Sequence, residues 1–260
     1  MTAQHQNEPI HALVYGDQGS FKSTFAASFP TPILVHCFDP FGKDAPYLRR
    51  GNIVTPYAEW QISEQSSVMY RDVFQDSQHL IRIEYYYDMN IEQPSGFRTF
   101  KERQALLMRG EYKEWATIVM DSMTFMELAA RKYHQYVIQP SAKDPRKWFG
   151  GSTDELEENA IMRMAGLPCN VIMICHISED KDELHGGFVR NPALPGRLQK
   201  RAGAAYSEMY RAFVRPDGNN NMIPTLQTRI SAMFAAHSQI DAPNLCAPNY
   251  NALWVKPQVS

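Results

Sequence analysis

The sequence predicts an α/β fold: a mostly parallel central sheet of about five or more strands, flanked by helices, with an antiparallel hairpin at its C-terminal edge. Three observations carry this. Residues 12–15 and 33–38 are apolar runs separated by a glycine-containing turn and a helical stretch, a βαβ unit within about thirty residues, and such crossovers build parallel sheets. Two further apolar runs, 115–120 and 171–175, end on the polar residues Asp121 and His176. Late in the chain, two strand-like runs flank the turn-forming residues 217–221, DGNNN.

The first βαβ unit organises the rest. Between its strand and its helix lies GDQGSFKS, which fits the phosphate-loop pattern G-x-x-x-x-G-K-[ST] except that Phe21 stands where the second glycine belongs. Such a loop turns backbone N–H groups toward phosphate oxygens, while the following helix N-terminus adds partial positive charge. Gly16, Asp17, Gln18, Gly19, Ser20, Phe21, Lys22, Ser23 and Thr24 are therefore the candidate nucleotide-binding residues. Lys22 would neutralise the outer phosphates and the Ser23 hydroxyl would bind Mg²⁺. The alternative is an ordinary strand-to-helix turn with a surface lysine. At Phe21 a Cβ and a ring must fit where the loop passes close to phosphate.

The remaining elements follow in order. Phe29-Pro30-Thr31-Pro32 stops the first helix, and residues 33–38 read as a buried strand ending at Asp39. Residues 41–70 are mixed, with a short strand at 52–54. Residues 80–87, LIRIEYYY, are rich in β-formers, and residues 97–108 read as a helix with a solvated charged face. Residues 115–122 form an apolar strand ending in Asp121, a carboxylate suited to hold Mg²⁺ through water beside the phosphate loop. A helix covers 123–137, and residues 139–151 read as a loop by their Pro and Gly content.

That loop carries Lys143, Arg146, Lys147 and Trp148, cations beside an aromatic, which suit single-stranded nucleic acid. The equal alternative is a surface loop whose tryptophan packs on the domain. Residues 153–165 read as a helix with acidic first turns, and 171–175 as a buried strand delivering His176 to the edge where open α/β sheets bind ligands. There His176 could sense a terminal phosphate, although a lone histidine is usually structural. Residues 179–191 are polar with two glycines and read as mobile; residues 197–205 read as a helix and 209–214 with 222–230 as the hairpin. Beyond Ala236 the Pro- and Asn-rich chain is expected to drape over the domain. The organisation is thus a tail at 1–10, one domain at 11–236 and an extension at 237–260.

The totals agree with a globular protein of cytoplasmic type. The 260 residues are 44% hydrophobic and 21% charged, with net charge −2, so any basic surface must be local. Cys37, Cys169, Cys175 and Cys246 lack paired metal spacing and read as reduced thiols. The N-terminal residues contain no signal-like apolar segment, and no run approaches the roughly 18 residues of a membrane span, so no membrane partner is expected.

With GDQGSFKST, TIVMDS, VIMICH, the LPGR-to-MYRAF stretch and LQTR in this order, residues 11–236 resemble phage-encoded RecA-like P-loop ATPases related to the Sak-type single-strand annealing and recombination ATPases. The resemblance implies ATP and Mg²⁺ as cofactors, Lys22, Ser23 and Thr24 on phosphate and metal, Asp121 as the Walker B acid and His176 as the sensor. It implies single-stranded DNA as a partner, a homo-oligomeric ring or filament, single-strand-binding or recombination proteins as further partners, and the host-cell cytoplasm as location. Such relatives usually carry a glutamate two residues after Asp39 to activate water; Phe41 stands there, leaving Asp39 as the nearest carboxylate. In an oligomer, Arg197, Lys200, Arg201 or Arg229 could complete a neighbour's site, each being equally readable as a surface charge. Two other readings compete with a DNA-dependent ATPase: a nucleotide-gated DNA- or protein-binding module with little hydrolysis, and a small-molecule kinase, for which no arginine-rich lid is visible.

Overall fold

We describe the chain from a computed structural model at residues 8–40, 44–49, 61–62, 68–74, 80–181, 186, 188–231 and 233–255. The expected strand at 52–54 and the departure at Phe41 lie outside these residues.

The described strands build an α/β fold around one mostly parallel sheet. Six strands run parallel: β1 (His11–Gly16), β2 (Ile33–Cys37), β5 (Leu80–Tyr85), β6 (Thr117–Asp121), β7 (Asn170–Cys175) and β10 (Glu208–Pro216). Their order across the sheet is β10-β1-β7-β6-β2-β5. On one side β3 (Gln61–Ile62) and β4 (Met69–Phe74) add antiparallel to β5; on the other, β11 (Met222–Gln227) and β12 (Leu245–Cys246) add antiparallel to β10. The mixed stretch 41–70 thus contributes, in its described residues, β3 and the start of β4 to the same sheet.

Both faces of the central strands are apolar, as a doubly covered parallel sheet requires. Leu13, Tyr15, Leu34, Met120 and Met173 face one layer, made by α3 (Gly96–Met108), α4 (Met123–Tyr133), α5 (Pro145–Leu156) and α7 (Arg197–Ala205). Ala12, Val14, Val35, Val119 and Ile174 face the other, covered by α1 (Lys22–Ala27), by α2 (Ala45–Leu48) and by C-terminal residues including Leu253. Because the strands are parallel, the ends of β1, β2, β6 and β7 meet at one edge, and Cys37 pairs in register with Asp121. Between α5 and β7 the chain completes its turn through a π-helical stretch, Glu157–Met162, and α6 (Arg163–Ala165).

Three segments differ from the sequence reading. Residues 145–151 belong to α5: Pro145 occupies the first turn, where its missing N–H costs nothing, and the Asp144 side chain accepts from the Arg146 N–H as a cap. β8 (Ile177–Lys181) and β9 (Phe188–Pro192) pair antiparallel, stabilised by their backbone ladder and by Glu179 opposite Arg190. The C-terminal segment does more than drape. It adds β12 to the sheet, and Tyr250 lies 4.9 Å from Phe29. The α-helix after β6 ends at Tyr133 and continues as a π-helical turn, His134–Ile138.

Candidate nucleotide site

The four strand ends border a cleft of about 810 Å³, lined by residues 18–24 of the loop and by Asp39, Asp121, Ser122 and His176. This is a volume typical of small-molecule sites. The loop after β1 is a tight turn closed by Ser20, whose N–H and hydroxyl both donate to the Asp17 carbonyl at 3.2 and 2.7 Å. Gly19 and Phe21 both adopt left-handed conformations, with φ of 76° and 68°. The first suits glycine. The second is a position where a Cβ is costly, which explains why the pattern asks for glycine there. Phe21 is 42% exposed and lies on the rim of the cleft.

Lys22 is the one cation among the described residues lining the cleft. Its Nζ donates to the carbonyls of Gly16 at 2.9 Å and Asp17 at 2.6 Å, and to Ser20 Oγ at 3.3 Å. Burial lowers its pKa, while Asp121 opposes that shift. Gly16 is required by close approach: a Cβ there would lie 2.1 Å from the Ala212 carbonyl oxygen of the neighbouring β10.

Asp121 ends β6 and is buried. Its Oδ2 accepts from Ser23 Oγ at 2.7 Å and from the Tyr47 hydroxyl at 2.5 Å. Burial, followed by the nearby Asp39 charge, pushes its pKa up to about 6, against the lowering effects of Tyr47, Ser23 and Lys22. Asp39 Oδ1 accepts from the N–H and hydroxyl of Ser122 at 3.1 and 2.7 Å, bracing the residue that follows Asp121. His176 donates its backbone N–H to Thr124 Oγ1 at 3.1 Å, and its ring meets Phe125 edge-on at 6.0 Å.

A serine hydroxyl against a buried carboxylate beneath a phosphate-loop turn is a donor set that fits Mg²⁺. That ion takes oxygen ligands, keeps several waters and needs no all-protein cage. Ser23 and Asp121 are the residues that would hold it.

A family model described as an AAA domain matches residues 8–215. The chain belongs to that family. No curated protein matches it. As an AAA domain with a phosphate loop, it is a member of a P-loop ATPase family, and the match spans β1 through nearly all of β10, so every residue of the cleft lies inside it.

The other candidate residues lie away from this cleft. Lys143 precedes α5, while Arg146, Lys147 and Trp148 sit in its first turns; Arg146 pairs with Asp144 at 2.9 Å, and Trp148 is half-buried. Arg197 pairs with Asp154 and Glu157, Arg201 pairs with Glu157, and Lys200 is exposed. Arg229 donates to the carbonyls of Ser238 at 2.6 Å and Ile240 at 3.2 Å, tying down the C-terminal segment. Tyr47, Ala45 and Pro46 were not read from sequence. They reach the site from a four-residue helix in a stretch without periodicity, and no local signal marks them.

Among the described residues no helix is long and apolar enough to cross a membrane. The four cysteines are free thiols.

Proposed function

We propose that this AAA domain binds ATP·Mg²⁺ and hydrolyses it in response to single-stranded DNA, in recombination or replication of a phage genome in the host cytoplasm. The observation that carries the nucleotide part is the 2.7 Å contact of Ser23 with Asp121, which joins the phosphate loop to a buried carboxylate two strands away. In this reading Lys22 binds the outer phosphates, Ser23 and Asp121 hold the metal, and His176 lines the side where a terminal phosphate would lie. The metal would supply charge neutralisation across the phosphates. Asp39, partly exposed in the cleft, is the carboxylate available to orient water.

The DNA part is supported by a face beside the loop. Tyr15 and Gly16 pair with Arg211 and Ala212 of β10. Arg211 stacks 3.2 Å from the Phe234 ring centre and 4.3 Å from that of Phe213, and Arg190 lies 5.6 Å over Phe234. Arg215 continues the same face of the strand, bonded to neutral Thr225, and Phe188 of the adjoining hairpin is 58% exposed. Phe234 is buried beneath the two arginines, so what the face offers a strand is guanidinium groups for phosphates and the exposed Phe188 for an unstacked base. Glu179 offsets one charge by pairing with Arg190. With Lys22 as the cleft's cation, a ring or filament in which a neighbour adds a second one is the matching assembly.

The test is phosphate release by the purified protein with and without single-stranded DNA, beside Lys22→Ala. Stimulation by DNA that disappears in the variant supports the reading; equal release in the variant overturns it. A wild type that binds ATP with background turnover, yet changes DNA affinity or oligomeric state, supports the nucleotide-gated module. The left-handed Phe21 in the loop favours that second reading.

A further inference from the structure

Two hydroxyls share one oxygen of Asp121, Ser23 at 2.7 Å and Tyr47 at 2.5 Å. They come from different places: Ser23 opens α1, and Tyr47 lies in α2, beyond β2. Their fates in a metal-bound site differ. A phosphate-loop serine that ligates Mg²⁺ does so through an oxygen lone pair and keeps its proton for the aspartate, but its oxygen is then placed by the metal as well. Tyr47 has no such second task. It is 1% exposed, and its hydroxyl donates to the carboxylate from within the core.

The element that carries Tyr47 is itself fixed. Asp44, which precedes α2, accepts from Arg71 of β4 at 3.0 Å and from the Tyr85 hydroxyl of β5 at 2.5 Å, all three being buried. A four-residue helix has little stability of its own. These two bonds hold it against the sheet, so the position of the Tyr47 hydroxyl is set by β4 and β5 and not by the local helix.

We propose that Tyr47 is the positioning residue of the metal site: its hydroxyl, which has no metal to ligate, fixes the Asp121 carboxylate oxygen for the ion that Ser23 ligates. This rests on the ATP·Mg²⁺ reading above. It adds a role for α2 that the loop and the aspartate do not themselves imply, and it makes Asp44 the anchor of that role. A purely structural tyrosine would also seek an acceptor at this depth, so the discriminating property is metal dependence.

Binding of a fluorescent ATP analogue is measured at increasing Mg²⁺, and again with chelator, for the wild type, Tyr47→Phe and Asp44→Asn. Tyr47→Phe keeps the ring and removes one donor to a charged acceptor, so the Mg²⁺ concentration for half-saturation rises about tenfold while metal-free affinity stays within twofold. Asp44→Asn moves it in the same direction by less. Equal Mg²⁺ dependence in Tyr47→Phe and wild type overturns the proposal. So does a parallel loss with and without metal, which marks a structural role. Should Tyr47→Phe fail to fold, Asp44→Asn decides by the same comparison. If the wild type binds no nucleotide under any condition, the ATP reading falls and this proposal falls with it; a metal-dependent wild type with an unaltered variant removes this proposal alone.

Discussion

The Tyr47 hydroxyl lies 2.5 Å from Asp121 Oδ2, bonding residues 74 positions apart. It is one of two donors stabilising a carboxylate that burial has made hard to ionise. Asp121 titrates near 6 in the folded chain, against 3.8 ordinarily. The folded state therefore binds this proton more tightly than the unfolded chain, and stability falls as pH rises from about 3.8 to about 6. Asp121→Asn removes that penalty. Urea denaturation should find the variant more stable than wild type at pH 7, by on the order of 1–3 kcal/mol, with the difference vanishing below pH 4. No gain at pH 7 refutes this account of the site.

Phe21 holds a left-handed conformation that glycine adopts freely. Phe21→Gly should raise unfolding stability by up to about 1 kcal/mol, the relief of strain being offset in part by chain entropy. Phe21→Val should lower it by more than about 1 kcal/mol, because a β-branched residue tolerates this region least. Chemical denaturation of the pair checks the order, and reversed signs would remove the strain argument.

Glu84 is buried between Arg103, at 2.9 Å, and the Tyr86 hydroxyl, at 2.6 Å, with His36 at 3.4 Å. Burial alone would raise its pKa; the His36 contact and the Arg103 charge bring it to about 2. Burial keeps His36 itself below its usual pKa, so the negative charge is balanced chiefly by Arg103. With the folded value below the ordinary 4.5, this contribution is complete above pH 4.5 and lost as pH falls toward 2. Arg103→Met should destabilise by about 3 kcal/mol at pH 7 and by much less at pH 3, where the carboxyl can protonate. A loss that is the same at both pH values would point to packing alone.

Gly16→Ala sets a methyl group against the Ala212 carbonyl oxygen in the adjacent strand. Neither backbone can move without breaking the β1–β10 ladder, so the variant should lose several kcal/mol or fail to fold, by the overpacking of a rigid contact. Gly19→Ala meets no atom and should lose only about 1 kcal/mol through its positive φ. Thermal unfolding of the two variants separates contact from dihedral; equal losses would contradict it.

Much of the architecture was legible. Buried parallel strands are short apolar runs, and those at β1, β2, β5, β6, β7 and β10 stand in the sequence as such, with their terminal Asp39, Asp121 and His176. The phosphate loop was legible because its function depends on consecutive residues. What misled was composition: Pro145, Gly150 and Gly151 read as loop, but proline suits a first turn and two glycines do not outweigh the packing of α5 on α4. The strands β8 and β9 were not read from the polar sequence because a hairpin's ladder uses backbone groups that every residue has.

By itself the sequence determined the main strands, the place of the loop between β1 and α1 and which polar residues end each strand, since these follow from local pattern. Only the tertiary structure decided the strand order that brings Ser23 to Asp121, and the anchoring of Tyr47 through Asp44, Arg71 and Tyr85. The reason is physical. A buried carboxylate must find donors wherever the folded chain offers them, and residues far apart in sequence carry no local periodicity that marks them as partners.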